Sequence, residues 1–223
     1  MPEKITKLFD KIKYCLLLRF RSSNKKEFFD MDGCGLEIEF GVEYETRCRT
    51  YIETGLRKIV SIVRGKGKFV TDSSIGSFLN VEIVLNPFER SELKPIFSSI
   101  KAVIDFYDNF VFNDNCGLHA NFRADGALKE AFYNILIERY DSRRFNHGKY
   151  RTDFSRAAAD GRDTKSYAEY IEYQKSVSSK YCGVNFLKPH LVEVRTLNLD
   201  WADVEFFYDI YEEAKASLSQ INT

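Results

Sequence analysis

The sequence predicts an α+β domain, a mostly antiparallel curved sheet with helices on one face. Three observations carry that expectation. Short stretches alternate strictly, setting Leu36, Ile38 and Phe40 against Glu37 and Glu39, then Val81, Ile83 and Leu85 against Asn80 and Glu82, then Leu118, Ala120 and Phe122 against His119 and Asn121. A period of two is that of a half-buried strand. Between these stretches, apolar residues recur three and four apart, as on a helix packed by one stripe. Finally, 223 residues with 44% hydrophobic and 15% aromatic content hold enough apolar material for a single core.

The elements follow in order. Residues 4–20 place Ile5, Leu8, Phe9, Ile12, Cys15 and Leu16 at helical spacing among Lys4, Lys7, Lys11 and Lys13, and a polar connector follows at 22–26. This amphipathic helix either packs on the domain or lies on anionic lipid or a partner. Residues 1–30 are therefore set apart from a domain over 31–223. A strand begins at Cys34, and a helix over 51–64 carries Leu56, Ile59, Val60 and Val63 until Gly65 and Gly67 end it. Phe69 and Val70 lead into the polar turn Asp72-Ser73-Ser74, and a strand follows over 78–85. Next come a helix over 91–110, a turn over 113–115 and a strand over 116–122. Helices are expected over 127–140 and 167–175, with a polar, irregular stretch over 141–165 between them. Strands over 181–186 and 191–197 make a hairpin around Lys188-Pro189, and a helix over 201–218 follows, with Val204, Phe207, Tyr208, Tyr211 and Ala214 on one stripe.

Composition narrows the function. Lys and Arg number 33 and so do Asp and Glu, a zero balance that argues against a protein that coats nucleic acid. No apolar run approaches the roughly 18–20 residues that span a bilayer, and the N-terminus shows no cleavable leader pattern. Five cysteines lie scattered without a Cys-x-x-Cys pair. That argues against a disulfide framework or zinc knuckle and for a reducing, cytoplasmic setting.

The strands share one oddity. Glu37 and Glu39, Asn80 and Glu82, His119 and Asn121, and Glu193 and Arg195 each occupy the non-apolar face of their strand. Mid-strand carboxylates are poor sheet formers unless something offsets their desolvation. A solvated outer face would do so for one strand. Four strands together point to a concave face where Glu37, Glu39, Glu82, His119 and Glu193 form a metal cup. Four carboxylates and an imidazole suit Mg²⁺ or Mn²⁺ better than zinc. Two such ions would hold a polyphosphate, which is the logic of phosphoryl transfer.

These residues also carry a family resemblance. Gly35-Leu36-Glu37-Ile38-Glu39-Phe40-Gly41, Asp72-Ser73-Ser74-Ile75, Val81-Glu82-Ile83-Val84 before Pro87, Asn115-Cys116-Gly117-Leu118-His119, Lys180-Tyr181 with Asn185, and Val192-Glu193-Val194-Arg195 follow one another in order. Over about residues 33–198 the chain resembles the amidoligase family, distant relatives of glutamine synthetase and the carboxylate–amine ligases. The resemblance implies a glutamine synthetase-like sheet funnel that takes ATP and Mg²⁺ and joins a carboxylate to an amine through an acyl phosphate. It implies that Glu39 and Glu82 hold one ion, and Glu37, His119 and Glu193 the ion nearest the phosphates. Arg195 would meet phosphate or substrate carboxylate, and Asp72 would orient or deprotonate the amine. Lys180 and Asn185 would lie near the nucleotide. Where the family often has a second histidine, Asn121 stands here.

The stretch 139–165 holds eight Lys or Arg against four Asp. It reads either as a lid whose Arg143 or Arg144 neutralises the transferring phosphate, or as a solvated basic loop. His147 and His190 read as surface residues, Cys116 and Cys182 as packing residues, and Trp201, Phe206 and Phe207 as core. Two other functions remain open: a Mg²⁺- or Mn²⁺-dependent hydrolase that uses the same cup without ATP, and a ligase-shaped binding module without catalysis. The expected partners are ATP and small-molecule or peptide substrates, with an oligomer possible and no nucleic acid.

Overall fold

A computed structural model describes residues 33–43, 48–70, 77, 79–113, 116–139, 166–176 and 183–221. The expected N-terminal helix, Asp72, Arg143, Arg144, His147, Lys180 and Cys182 lie outside the described residues. In chain order the elements are β1 (Cys34–Val42), α1 (Arg49–Val63), β2 (Gly67–Val70), β3 (Leu79–Leu85), α2 (Arg90–Phe106), β4 (Phe110–Val111), β5 (Leu118–Arg123), α3 (Gly126–Arg139), α4 (Tyr167–Ser176), β6 (Val184–Asn185), β7 (Leu191–Leu197) and α5 (Trp201–Ile221). The strands form one open sheet in the order β2-β3-β1-β5-β7-β6, with β4 paired to the end of β1. Every pairing among the described strands is antiparallel. The fold is therefore α+β, as the alternation of types implied.

Alternation decides which face is packed. Leu36, Ile38 and Phe40 of β1, Ile83 and Leu85 of β3, and Leu118, Ala120 and Phe122 of β5 are fully buried. They join Ile59 and Val63 of α1, Ile100 of α2, Phe132 of α3 and Phe207 and Ala214 of α5 in one apolar cluster. Each of the larger side chains among them, Val, Leu, Ile or Phe, stabilises the fold by about 1.5–3 kcal/mol relative to exposure. The other face of the sheet carries the carboxylates. Tyr208 of α5 ties helix to sheet, because its hydroxyl accepts from Cys34 N–H (3.1 Å) and donates to the Phe88 carbonyl (2.5 Å). That close approach is why Gly33 precedes β1: with φ at +132°, a Cβ there would lie 2.4 Å from the Phe88 oxygen.

Beyond shifts of a few residues at element ends, three features differ from the sequence expectation. The helix expected to reach Phe110 ends at Phe106, and Phe110–Val111 pairs with Val42 and Gly41 instead. Tyr107 takes an extended backbone there, and its ring stacks on Phe110 (5.3 Å), which in turn packs on Phe40 (5.5 Å). Phe69 and Val70, expected only to lead into a turn, belong to the edge strand β2, paired with β3. The β7 alternation also slips: Val192 and Val194 are buried, and then Leu197. A β-bulge level with His119 supplies the extra residue.

Candidate functional site

Register assembles the polar face. Glu37 stands across from His119, Glu39 across from Glu82, and Asn121 and Asn185 both across from Glu193. Paired positions on adjacent strands bring their Cβ atoms to about 4.5–5.5 Å, within reach of these side chains. Glu37, His119 and Glu193 each present a ligand atom, and these atoms lie within 4.8 Å of one another. Three of the five expected metal ligands thus come together. Glu39 borders them, its Oε1 3.9 Å from His119 Nε2, and Glu82 is its cross-strand partner one strand further out.

Glu37 is clamped from both sides. Its Oε2 lies 3.1 Å from His119 Nδ1, and its Oε1 accepts from Asn121 Nδ2 at 3.0 Å. Burial alone would raise its pKa. The hydrogen bond and charge of His119, the charge of Lys188 and the Asn121 amide outweigh that and hold it down to about 2. Asn121 keeps its Oδ1 buried without a hydrogen-bond partner.

Glu193 is the most buried acid of the group, with 1% of its side chain exposed. Its Oε1 accepts from Lys188 Nζ at 2.6 Å, and its Oε2 lies 2.7 Å from Arg195 Nη2 and 3.2 Å from Asn185 Nδ2. Arg195, expected to face phosphate or substrate, therefore lines the site next to Glu193. Asn185, expected near the nucleotide, is buried against Glu193, and its Oδ1 accepts from Leu187 N–H.

Sequence reasoning missed Lys188 and the two side chains that support its turn. Lys129 Nζ donates to the Phe186 and Lys188 carbonyls (2.9 and 2.6 Å), and burial pushes its pKa down. Gln174 donates to the Val184 carbonyl (2.5 Å) and accepts from Phe186 N–H (3.0 Å), filling the open edge of β6. Each stands on the apolar stripe of its helix, Lys129 with Phe132, Tyr133 and Leu136, Gln174 with Tyr167, Tyr170 and Ile171. A polar residue in a packed stripe was the available signal.

His190 is exposed, as expected, but paired, with Nδ1 2.7 Å from Asp125 Oδ1. Cys116 is buried, with its thiol against the Val111 carbonyl and Asn113 Oδ1. Trp201 and Phe207 are core, and Phe206 is half-buried against it. Among the described residues no helix is long and apolar enough to cross a membrane. No protein-family model matches the chain, and no curated protein matches it.

Proposed function

We propose that the chain is an ATP- and Mg²⁺-dependent (or Mn²⁺-dependent) carboxylate–amine ligase with a glutamine synthetase-like catalytic sheet. One observation carries this reading: Glu37, His119 and Glu193, from three adjacent strands, bring ligand atoms within 4.8 Å of one another on the polar sheet face. The donors fit a hard divalent ion. They are carboxylate oxygens and one imidazole, and the buried Asn121 Oδ1 offers a further acceptor nearby. Glu37, His119 and Glu193 would hold one ion, and Glu39 with Glu82 another. Bound there, such ions neutralise the carboxylates and the charge of the phosphate oxygens.

The chain's own residues do the positioning. In the proposed reaction a substrate carboxylate oxygen attacks the γ-phosphorus of ATP, and the bond to the ADP oxygen breaks. The amine then attacks the acyl carbon, gives up a proton, and phosphate leaves with the bonding electrons. Arg195 offers its planar fork to paired oxygens of phosphate or carboxylate, steadied by Glu193. Asn185 acts through Glu193, whose Oε2 it holds. Asp72 as the base for the amine, Arg143 and Arg144 on the phosphate, and Lys180 near the nucleotide follow from the resemblance and the lid reading alone.

Calorimetric titration of ATP tests the reading, with Mg²⁺, with EDTA, and in Glu37→Ala and Glu193→Ala. Binding that needs the metal and vanishes in both variants supports it, and ADP release with carboxylate and amine pools would then follow. Full ATP binding in either variant would sink it. Metal-dependent hydrolysis without ATP would put the hydrolase in its place.

A further inference from the structure

We infer that Lys188 is a contact for the anionic oxygens of the bound substrate, sharing that task with Arg195. The inference rests on the ligase reading for the identity of the anion, the phosphates of ATP. Its geometry comes from the chain alone.

Glu193 is one carboxylate between two cations, with Lys188 Nζ at 2.6 Å from Oε1 and Arg195 Nη2 at 2.7 Å from Oε2. It offsets one of them and Glu37, whose pKa the Lys188 charge helps to lower, offsets the other; a divalent ion held by these carboxylates would leave the positive charge of the pair to an anion. Lys188 has 36% of its side chain exposed and Arg195 17%, against 1% for the acid. The two cations are thus more exposed than the acid they share.

The backbone of the turn that carries Lys188 is held by side chains from outside it. Burying an ammonium is unfavourable unless hydrogen bonds replace its water. For Lys129 both replacements are carbonyls of this turn, those of Phe186 and Lys188 itself. Asn185 Oδ1 fixes Leu187 N–H between them. The backbone is set, while the Lys188 side chain keeps four rotatable carbons and a compact ammonium. Its charge already reaches Glu37 across the site. A cation held by Glu37, His119 and Glu193 would repel the Lys188 ammonium at such short range. An anion placed between them satisfies both, which is the arrangement a phosphate chain requires.

The test uses the full chain and two probes, Mn²⁺ alone and inorganic tripolyphosphate with Mg²⁺, each titrated by calorimetry into wild type, Lys188→Met and Lys188→Arg. Urea unfolding of all three confirms that they fold alike. Lys188→Met is expected to weaken tripolyphosphate binding by about tenfold or more, the loss of one charge-assisted contact, and Lys188→Arg to restore most of it. Mn²⁺ should bind Lys188→Met as well as wild type, or more tightly. Unchanged tripolyphosphate affinity in Lys188→Met overturns the inference. So does a parallel loss of Mn²⁺, which would make Lys188 a mere prop for Glu193. An ATP arm separates the two readings. Tripolyphosphate binding through Lys188 without any ATP binding overturns the ligase and leaves the anion contact standing. Metal-dependent ATP and tripolyphosphate binding that ignore Lys188 do the reverse. A wild type that binds neither probe overturns both.

Discussion

Glu37 and His119 face each other across β1 and β5, and their side chains meet at 3.1 Å, Oε2 to Nδ1. With Asn121 on the other oxygen, the Glu37 carboxylate is fixed in direction before any ligand arrives. Preorganisation of this kind is what a binding site needs from its scaffold, since ordering the group later would weaken binding.

The clamp makes stability depend on pH. The folded-state pKa of Glu37 is depressed from 4.5 to about 2, so its contribution is present above the unfolded value. It is lost as pH falls through that window. At about 1.4 kcal/mol per unit, the contribution is at most roughly 3–4 kcal/mol. In EDTA, Glu37→Gln should therefore unfold at lower urea than wild type at pH 7, and the gap should close steadily between pH 5 and pH 2. A gap that stays constant with pH would contradict the clamp.

Lys129→Met removes the donor from two carbonyls of the turn between β6 and β7. Hydrogen bonds from charged donors are worth about 1.5–3 kcal/mol each, so a loss of about 2–4 kcal/mol is expected after partial rescue by water. Urea denaturation measures it. Amide exchange should show Leu187 and Lys188 losing protection out of proportion to the rest.

Gln174 stands in for a strand at the β6 edge, pairing with the Val184 carbonyl and the Phe186 N–H as a neighbouring backbone would. Gln174→Leu keeps the volume, takes the partner from the Phe186 N–H and leaves the Val184 carbonyl only the Tyr170 hydroxyl at 3.3 Å. The expected cost is about 1–3 kcal/mol, with a rise in aggregation on heating because an unpaired edge invites another chain. Thermal unfolding followed with light scattering checks both.

Burial pushes the Cys34 thiol pKa far up, and Cys116 is buried as well. The thiolate is the reactive form. Iodoacetamide should leave both unmodified in the native protein at pH 8 and modify both in urea, as read by peptide mass mapping. Rapid native labelling of Cys34 would mean that the Tyr208 link between α5 and β1 opens readily.

How much of this was legible follows from the range of each interaction. Strand faces obey a local period of two, so the side of the sheet on which Glu37, Glu39, Glu82, His119 and Glu193 stand could be read from the sequence. That Glu37, His119 and Glu193 meet depends on register, which the sequence expresses only through the order of its motifs. The bulge at His119 was hidden, because one extra residue in β7 changes no local propensity that composition would reveal. Short β2 and β4 were missed for a related reason: four and two residues give too few alternations to outweigh neighbouring glycines or a helical stripe. Lys129 and Gln174 broke the stripe of their helices in plain view, but their partners lie at Phe186, Lys188 and Val184, beyond any local pattern.

The topology also sets when the site can exist. The residues of the proposed site come from β1, β5 and β7, so a ribosome must deliver residue 193 before the group begun at residue 37 is complete. Each ladder between them closes a long loop, and such non-local pairing is slow compared with helix formation. A nascent chain that has emerged only through β5 carries Glu37, Glu39 and Glu82 without Lys188 and Arg195. On that account, productive folding follows synthesis of β7 rather than accompanying it, and arrested shorter chains should be clients for chaperones.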